Sequence, residues 1–246
     1  MTENEAFIYE SIFNQVRMGF LPLDEIKDNI SEEIDDNGFS EEVTEEWAFL
    51  TIEKEFNKLS LESENWIKPT DTEKLIKAFD ELIGENIIAL HNAGYTTSDG
   101  EDDVVEVERH LRDYEAMSDG YCFYHGQDLE RAISPTDSNL YLSFQKINNS
   151  KDVVTIAVGN KIVEVLLKHG FKVVWDQTPT SKILIENFRW NYFYDVNHRD
   201  IKDEEETVKR LSKNKKGKIN YDKLINDNNN SGFKTKLWSW LKGLKV

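Results

Sequence analysis

The sequence predicts an α/β fold: a helical N-terminal region packed on a mixed sheet of about five strands, with a basic helical C-terminal tail. Three observations carry that prediction. Apolar residues recur at spacings of three and four through residues 1–85, the period of a helix. From residue 86, short apolar runs alternate with amphipathic stretches, the pattern of a layered fold with at least part of its sheet parallel. The charge then reverses: residues 1–206 hold 19 Lys/Arg against 45 Asp/Glu, and residues 207–246 hold 11 against 2. Three units follow, an acidic helical region at 1–85, an α/β domain at 86–200 and a basic tail at 201–246.

The elements follow in order. Residues 6–20 place Phe7, Ile8, Ile12, Phe13 and Val16 on one helical face. Residues 23–34 continue as a weaker helix that stops at the turn Asp35-Asp36-Asn37-Gly38. Ser40 is the expected cap of a long helix carrying Val43, Trp47, Leu50, Phe56 and Leu59. Pro69 then stops the chain, and Thr70 with Glu73 forms a capping box for a helix that ends at Gly84. Strands are expected at 87–90, 121–124, 140–147, 171–175 and 183–185, and helices at 102–117, 127–133 and 152–169, the last closed by Gly170. Residues 202–218 have a weak helical pattern, and 226–232 read as a polar linker.

Composition narrows the function classes. With 39% hydrophobic and 31% charged residues in 246, the chain can build a core. It has no run of 18 apolar residues, and its acidic start lacks the positive charge of a secretory signal. Cys122 is a lone cysteine, so no internal disulfide forms and a cytoplasmic location is expected. A body as acidic as 1–206 repels phosphates, which argues against nucleic acid as its partner. The sequence has no Gly-x-Ser-x-Gly, no phosphate-binding Gly-Lys-Ser/Thr loop, no His-Glu-x-x-His and no dinucleotide fingerprint. Residues 95–106 and 227–238 each miss an essential calcium-loop ligand.

Several stretches carry a family resemblance. They are Gly19-Phe20, Thr70-Asp71, the run Tyr121-Cys122-Phe123-Tyr124-His125-Gly126-Gln127-Asp128, Leu140-Tyr141-Leu142, and Gly170-Phe171-Lys172-Val173-Val174-Trp175-Asp176. Their order resembles an uncharacterised bacterial domain-of-unknown-function family over residues 10–190. The resemblance implies clustered cysteines after the first strand in many relatives. This chain reads His91 to Gly100 there with no Cys, so no thiolate chemistry carries over.

One constellation is a candidate site. His91 follows the first strand and His125 the second, and ligands of α/β sheets lie outside the carboxyl ends of strands. With Asp99 and Asp103 after the first joint and Asp128 after the second, the two imidazoles are a candidate divalent-metal set. Alternatively His125 or His91 is a general base oriented by Asp128. The same residues also suit helix N-termini, where carboxylates meet the positive end of the dipole. Cys122, mid-strand among aromatic residues, reads as a buried apolar group.

On a helical projection of residues 233–246, Phe233, Leu237, Trp240, Leu241 and Leu244 fall within about 100° of arc, with Lys234, Lys242 and Lys245 beside or opposite them. At ~1.5 Å per residue the segment is about 21 Å long, too short to cross a bilayer. It can dock on its own acidic body, in a partner's groove or on an anionic membrane surface. The expected function is a non-catalytic acidic interaction protein, such as an immunity-type inhibitor of a basic toxin or nuclease. The alternatives are a metal-assisted hydrolase using His91, His125 and Asp128, and peripheral membrane attachment through the tail.

Overall fold

The computed structural model of the chain describes residues 1–230 other than 135, 215, 216 and 218, and of 227–230 the backbone alone. Helix α1 (Glu3–Met18) starts in a capping box in which Thr2 accepts from the Glu5 N–H and Glu5 accepts from the Thr2 N–H. Helices α2 (Leu23–Asp36) and α3 (Glu45–Ser63) complete a three-helix layer. Ile12, Val16, Ile26, Ile30 and Ile52 close a core of its own. Helix α3 begins later than Ser40 predicts. The Ser40 hydroxyl donates to Asp35 at 2.7 Å instead, the chain turns through Val43, and Thr44 caps the helix.

Helix α4 (Asp71–Gly84) has the expected Thr70–Glu73 capping box. Its apolar face, however, joins the sheet: Leu75, Phe79 and Leu82 share a core with Ile88, Phe123 and Leu142. Helix α4, which the sequence groups with the N-terminal helices, thus packs in the core of the sheet.

The sheet is built from β1 (Ile87–Leu90), β2 (Gly120–Phe123), β3 (Leu140–Gln145), β4 (Val173–Val174) and β5 (Ile183–Ile185) in the order β1-β2-β3-β5-β4. Only β1 and β2 are parallel, and the other neighbours are antiparallel. A parallel pair needs a crossover, which α5 (Thr97–Arg112) supplies. That helix starts five residues before the predicted 102. The Thr96–Asp99 capping box starts it there, and Gly100, which reads as a loop residue, is a glycine inside the helix because a Cβ would lie 2.4 Å from the Phe123 ring.

Helices α6 (Gly126–Ile133) and α7 (Asp152–Lys168) lie close to their predicted spans. Gly170, at φ +85°, closes α7 as expected. Helix α8 (Glu204–Leu211) adds Val208 and Leu211 to the sheet core. Helix α9 (Tyr221–Asn230) runs through 226–230, where composition suggests a linker. Asn220 starts it by accepting from the Lys223 N–H at 3.0 Å. The amphipathic segment 233–246, with Phe233, Leu237, Trp240, Leu241, Leu244 and its lysines, lies outside the described residues. Among the described residues no helix is long and apolar enough to cross a membrane.

Candidate functional site

The parallel register pairs Ile87 with Gly120 and runs to Leu90 with Phe123. Extended one step further, it sets His91 against Tyr124, not His125. Partners in register share a face and successive residues alternate, so the two imidazoles leave the sheet on opposite sides. The contacts agree. His91 Nδ1 is 3.1 Å from the Tyr124 hydroxyl, and its ring stacks on Phe79 at a centroid distance of 4.4 Å. Burial pulls the His91 pKa down to about 3, against the attraction of Asp80. Its Nε2 is buried and has no hydrogen-bond partner among the described residues.

His125 is the N-cap of α6. The Asp128 N–H donates to its Nδ1 at 3.3 Å, so that nitrogen is unprotonated and Nε2 carries the hydrogen. Nε2 lies 3.1 Å from Asp128 Oδ2 and 3.1 Å from the Thr97 hydroxyl. Lys182, from the β4–β5 connection, donates to Asp128 Oδ2 at 2.8 Å and Oδ1 at 3.1 Å, and its Nζ lies 2.9 Å from His125 Nε2. Arg131 completes the surround at 3.4 Å from Oδ1. Burial is the main cause lowering the His125 pKa; Asp128 opposes it, and Lys182 and Arg131 add to it.

A general base needs a lone pair facing the proton it takes. The only free lone pair of His125 is already bound to a backbone N–H, so in this arrangement the ring is a cap. Asp128 is likewise enclosed, at 1% exposure, by two cations and the imidazole.

Asp99 closes the α5 capping box with Thr96, whose N–H, the largest influence, holds the carboxyl below its ordinary range. Asp103, one turn further, has its carboxyl raised, chiefly by burial. Of the proposed metal set of His91, His125, Asp99 and Asp103, His91 faces Phe79 and Tyr124, away from the others, while His125 caps α6 and Asp99 is bound into the Thr96 capping box of α5. Among the described residues no group of three His, Cys, Asp or Glu side chains is placed to hold a metal ion. Cys122 is fully buried, and burial pushes its thiol pKa up.

The start of α6 is not suited to an anion either. The first N–H groups of α6, at Gly126, Gln127 and Asp128, go to the Gly94 carbonyl, the Tyr95 carbonyl and His125. Beside them, α1 and α2 leave an open groove of about 580 Å³ against the 92–95 loop, lined by Phe7, Glu10, Glu33, Asn92, Tyr95 and Glu130 among others. A second cavity, about 670 Å³, lies between α4, the end of α3 and residues 191–201. Its charges are largely matched internally, with Lys68–Glu73 at 2.6 Å and Arg199–Asp80 at 3.0 Å.

The profile of a domain of unknown function, DUF6891, matches residues 1–192. The chain belongs to the DUF6891 family. No curated protein and no solved structure shows significant similarity to it. The DUF6891 span takes in the three-helix layer, both strand–helix joints, the groove and Lys182. It ends before α8, which covers the His91 side of the sheet from beyond the family domain.

Sequence reasoning missed Tyr124, Thr97, Arg131 and Lys182. Tyr124 was open to discovery by counting the parallel register. Lys182 was not, because it reaches Asp128 from 54 residues away through the antiparallel half of the sheet.

Proposed function

We propose that this DUF6891 chain is a non-catalytic interaction protein that binds a basic protein partner through the outer face of α1 and α2. An immunity-type inhibitor of a basic toxin or nuclease is the specific form we favour. One observation carries the reading. Residues 1–46 contain 14 Asp/Glu and two basic residues, Arg17 and Lys27. Both are turned back onto α3, Arg17 to Glu62 at 3.0 Å and Lys27 to Glu53 at 2.7 Å. Ten of the 14 carboxylates lie on α1 and α2, and eight of those are exposed, so these helices offer negative charge with little internal compensation.

Such a surface speeds encounter with a positive partner and does so less at high salt. The enclosed His125 and Asp128 and the buried His91 give the hydrolase alternative no support. The test is native pull-down at low and at high salt, with wild type and with a Glu25→Gln/Asp28→Asn/Glu32→Gln variant. A basic protein retained at low salt, released by salt and weakened by the variant is expected. Recovery of no basic protein at low salt would overturn the proposal.

A further inference from the structure

We infer that the cavity of about 670 Å³ between α4, the end of α3 and residues 191–201 binds a small planar aromatic molecule carrying one anionic group. The cavity lies at the seam of the two cores. Trp66 and Phe193 pack against the three-helix core, whereas α4 belongs to the sheet core. A junction of two packed units is a common place for a ligand site of this size.

The apolar lining is aromatic and held from behind. The Phe193 ring packs on Phe56 at 5.0 Å, and the Tyr192 ring on Phe20 and Trp190 at 5.8 Å each. The Trp66 indole N–H donates to the Asn191 side chain at 3.0 Å. Ile76 and Ile201 complete this wall, which offers a flat ring its stacking partners.

Charge selects the rest of the ligand. The chain carries a net −17, yet the carboxylates of this lining are already engaged. Glu73 accepts from Lys68 at 2.6 Å and from the Thr70 N–H at 2.9 Å. Asp195 accepts from the Asn197 N–H and side chain at 2.8 and 2.9 Å. Asp80 accepts from Arg199 at 3.0 Å and, at 2.5 Å, from Arg210, which stands outside the lining. Two cations thus hold Asp80, and Arg199 spends one nitrogen on it. Lys77 lies one turn before Asp80 on the same face of α4. It is exposed and forms no ion pair among the described residues.

Lys77 and the remaining N–H groups of Arg199 therefore stand on one wall as donors to an incoming anion. A carboxylate or phosphate answers them, and the ring it carries meets Trp66, Tyr192 and Phe193. A cationic ligand finds no free carboxylate here, and an uncharged one leaves both cations unanswered. Phe193 and Arg199 lie beyond the DUF6891 match, which ends at residue 192, so the segment after the family domain completes the site. The cavity shares no lining residue with α1 or α2, and the inference does not rest on the partner reading.

The test is isothermal titration calorimetry of the full chain with two probe pairs, naphthoate against uncharged naphthylmethanol and adenosine monophosphate against adenosine. In at least one pair the anion should bind saturably and about tenfold more tightly than its neutral analogue. The pair that responds distinguishes a carboxylate ligand from a phosphate. Lys77→Gln should weaken that anion about tenfold. Lys54→Gln, which removes the same charge from an exposed position of α3, should weaken it less than about twofold. Trp66→Leu should weaken the anion and its neutral analogue alike. No saturable binding of either anion at millimolar concentration would overturn the proposal. So would equal affinity for anion and neutral analogue in both pairs, or equal weakening by the two lysine variants.

Discussion

Lys182 donates to both carboxylate oxygens of Asp128, at 2.8 and 3.1 Å, from 54 residues further along the chain. The pair ties the β4–β5 connection to the first turn of α6. Asp128 is almost fully buried while Lys182 is 30% exposed, so the two single variants should differ. Lys182→Met leaves a buried carboxylate with only Arg131 and His125 for compensation, and should cost about 2 kcal/mol. Asp128→Asn frees a lysine that can reach water and should cost less. Urea unfolding of both singles and the double variant checks this, and a coupling energy near zero would contradict the pairing.

The Thr96–Asp99 box makes a prediction that separates capping from metal ligation. Thr96→Ala should lower stability by about 1 kcal/mol, the ordinary loss for an N-cap. Asp99→Ala should act in the same direction, and a chelator should leave the melting temperature of either variant unchanged. A chelator-dependent melting temperature in the wild type, lost in Asp99→Ala, would point to a cation instead.

Much of this architecture was legible because it is local. The helical period of α1, the Thr70–Glu73 box, the strand-length run Ile87–Leu90 and the Gly170 stop each depend on neighbours in sequence. What failed is tertiary. Gly100 resembles a loop residue until the Phe123 ring is set beside it. Ser40 resembles a cap until Asp35 takes its hydroxyl. The two joints carry the same residue types, yet a single step of register sends His91 to Tyr124 and His125 to Lys182. The groove was hidden for a related reason: Glu10, Asn92 and Glu130 come from three separate segments.

Gly159 lies mid-way along α7, where helix propensity favours alanine by about 1 kcal/mol. Here the preference should reverse. A Cβ at 159 would stand 2.5 Å from the Trp175 ring and 2.8 Å from the Phe144 ring, two rings already packed edge to face at 5.3 Å. The Trp175 ring is also held by its indole N–H, which donates to the Thr178 carbonyl at 3.1 Å. Gly159→Ala should therefore destabilise by about 1–3 kcal/mol and shift the tryptophan emission. A stabilised variant with unchanged emission would show that α7 lies further from β3 and β4.

His91 should leave a signature in the acid limb of stability. Its folded-state pKa is about 3 against an ordinary 6.5, so as pH falls the unfolded chain takes up the proton first. Protonation thus favours unfolding: this residue's contribution is fully present above about pH 6.5 and is lost progressively as pH drops toward 3. Between pH 4 and 6 that amounts to a slope of about 1 kcal/mol per pH unit from this one group. His91→Gln keeps a polar atom near Tyr124 and removes the titration. Whatever the substitution does to stability at neutral pH, unfolding free energies measured across that window should be flatter by about that slope. Parallel wild-type and variant curves would mean that His91 is protonated in the folded chain as readily as in the unfolded one, and that its ring is not enclosed between Phe79 and Tyr124.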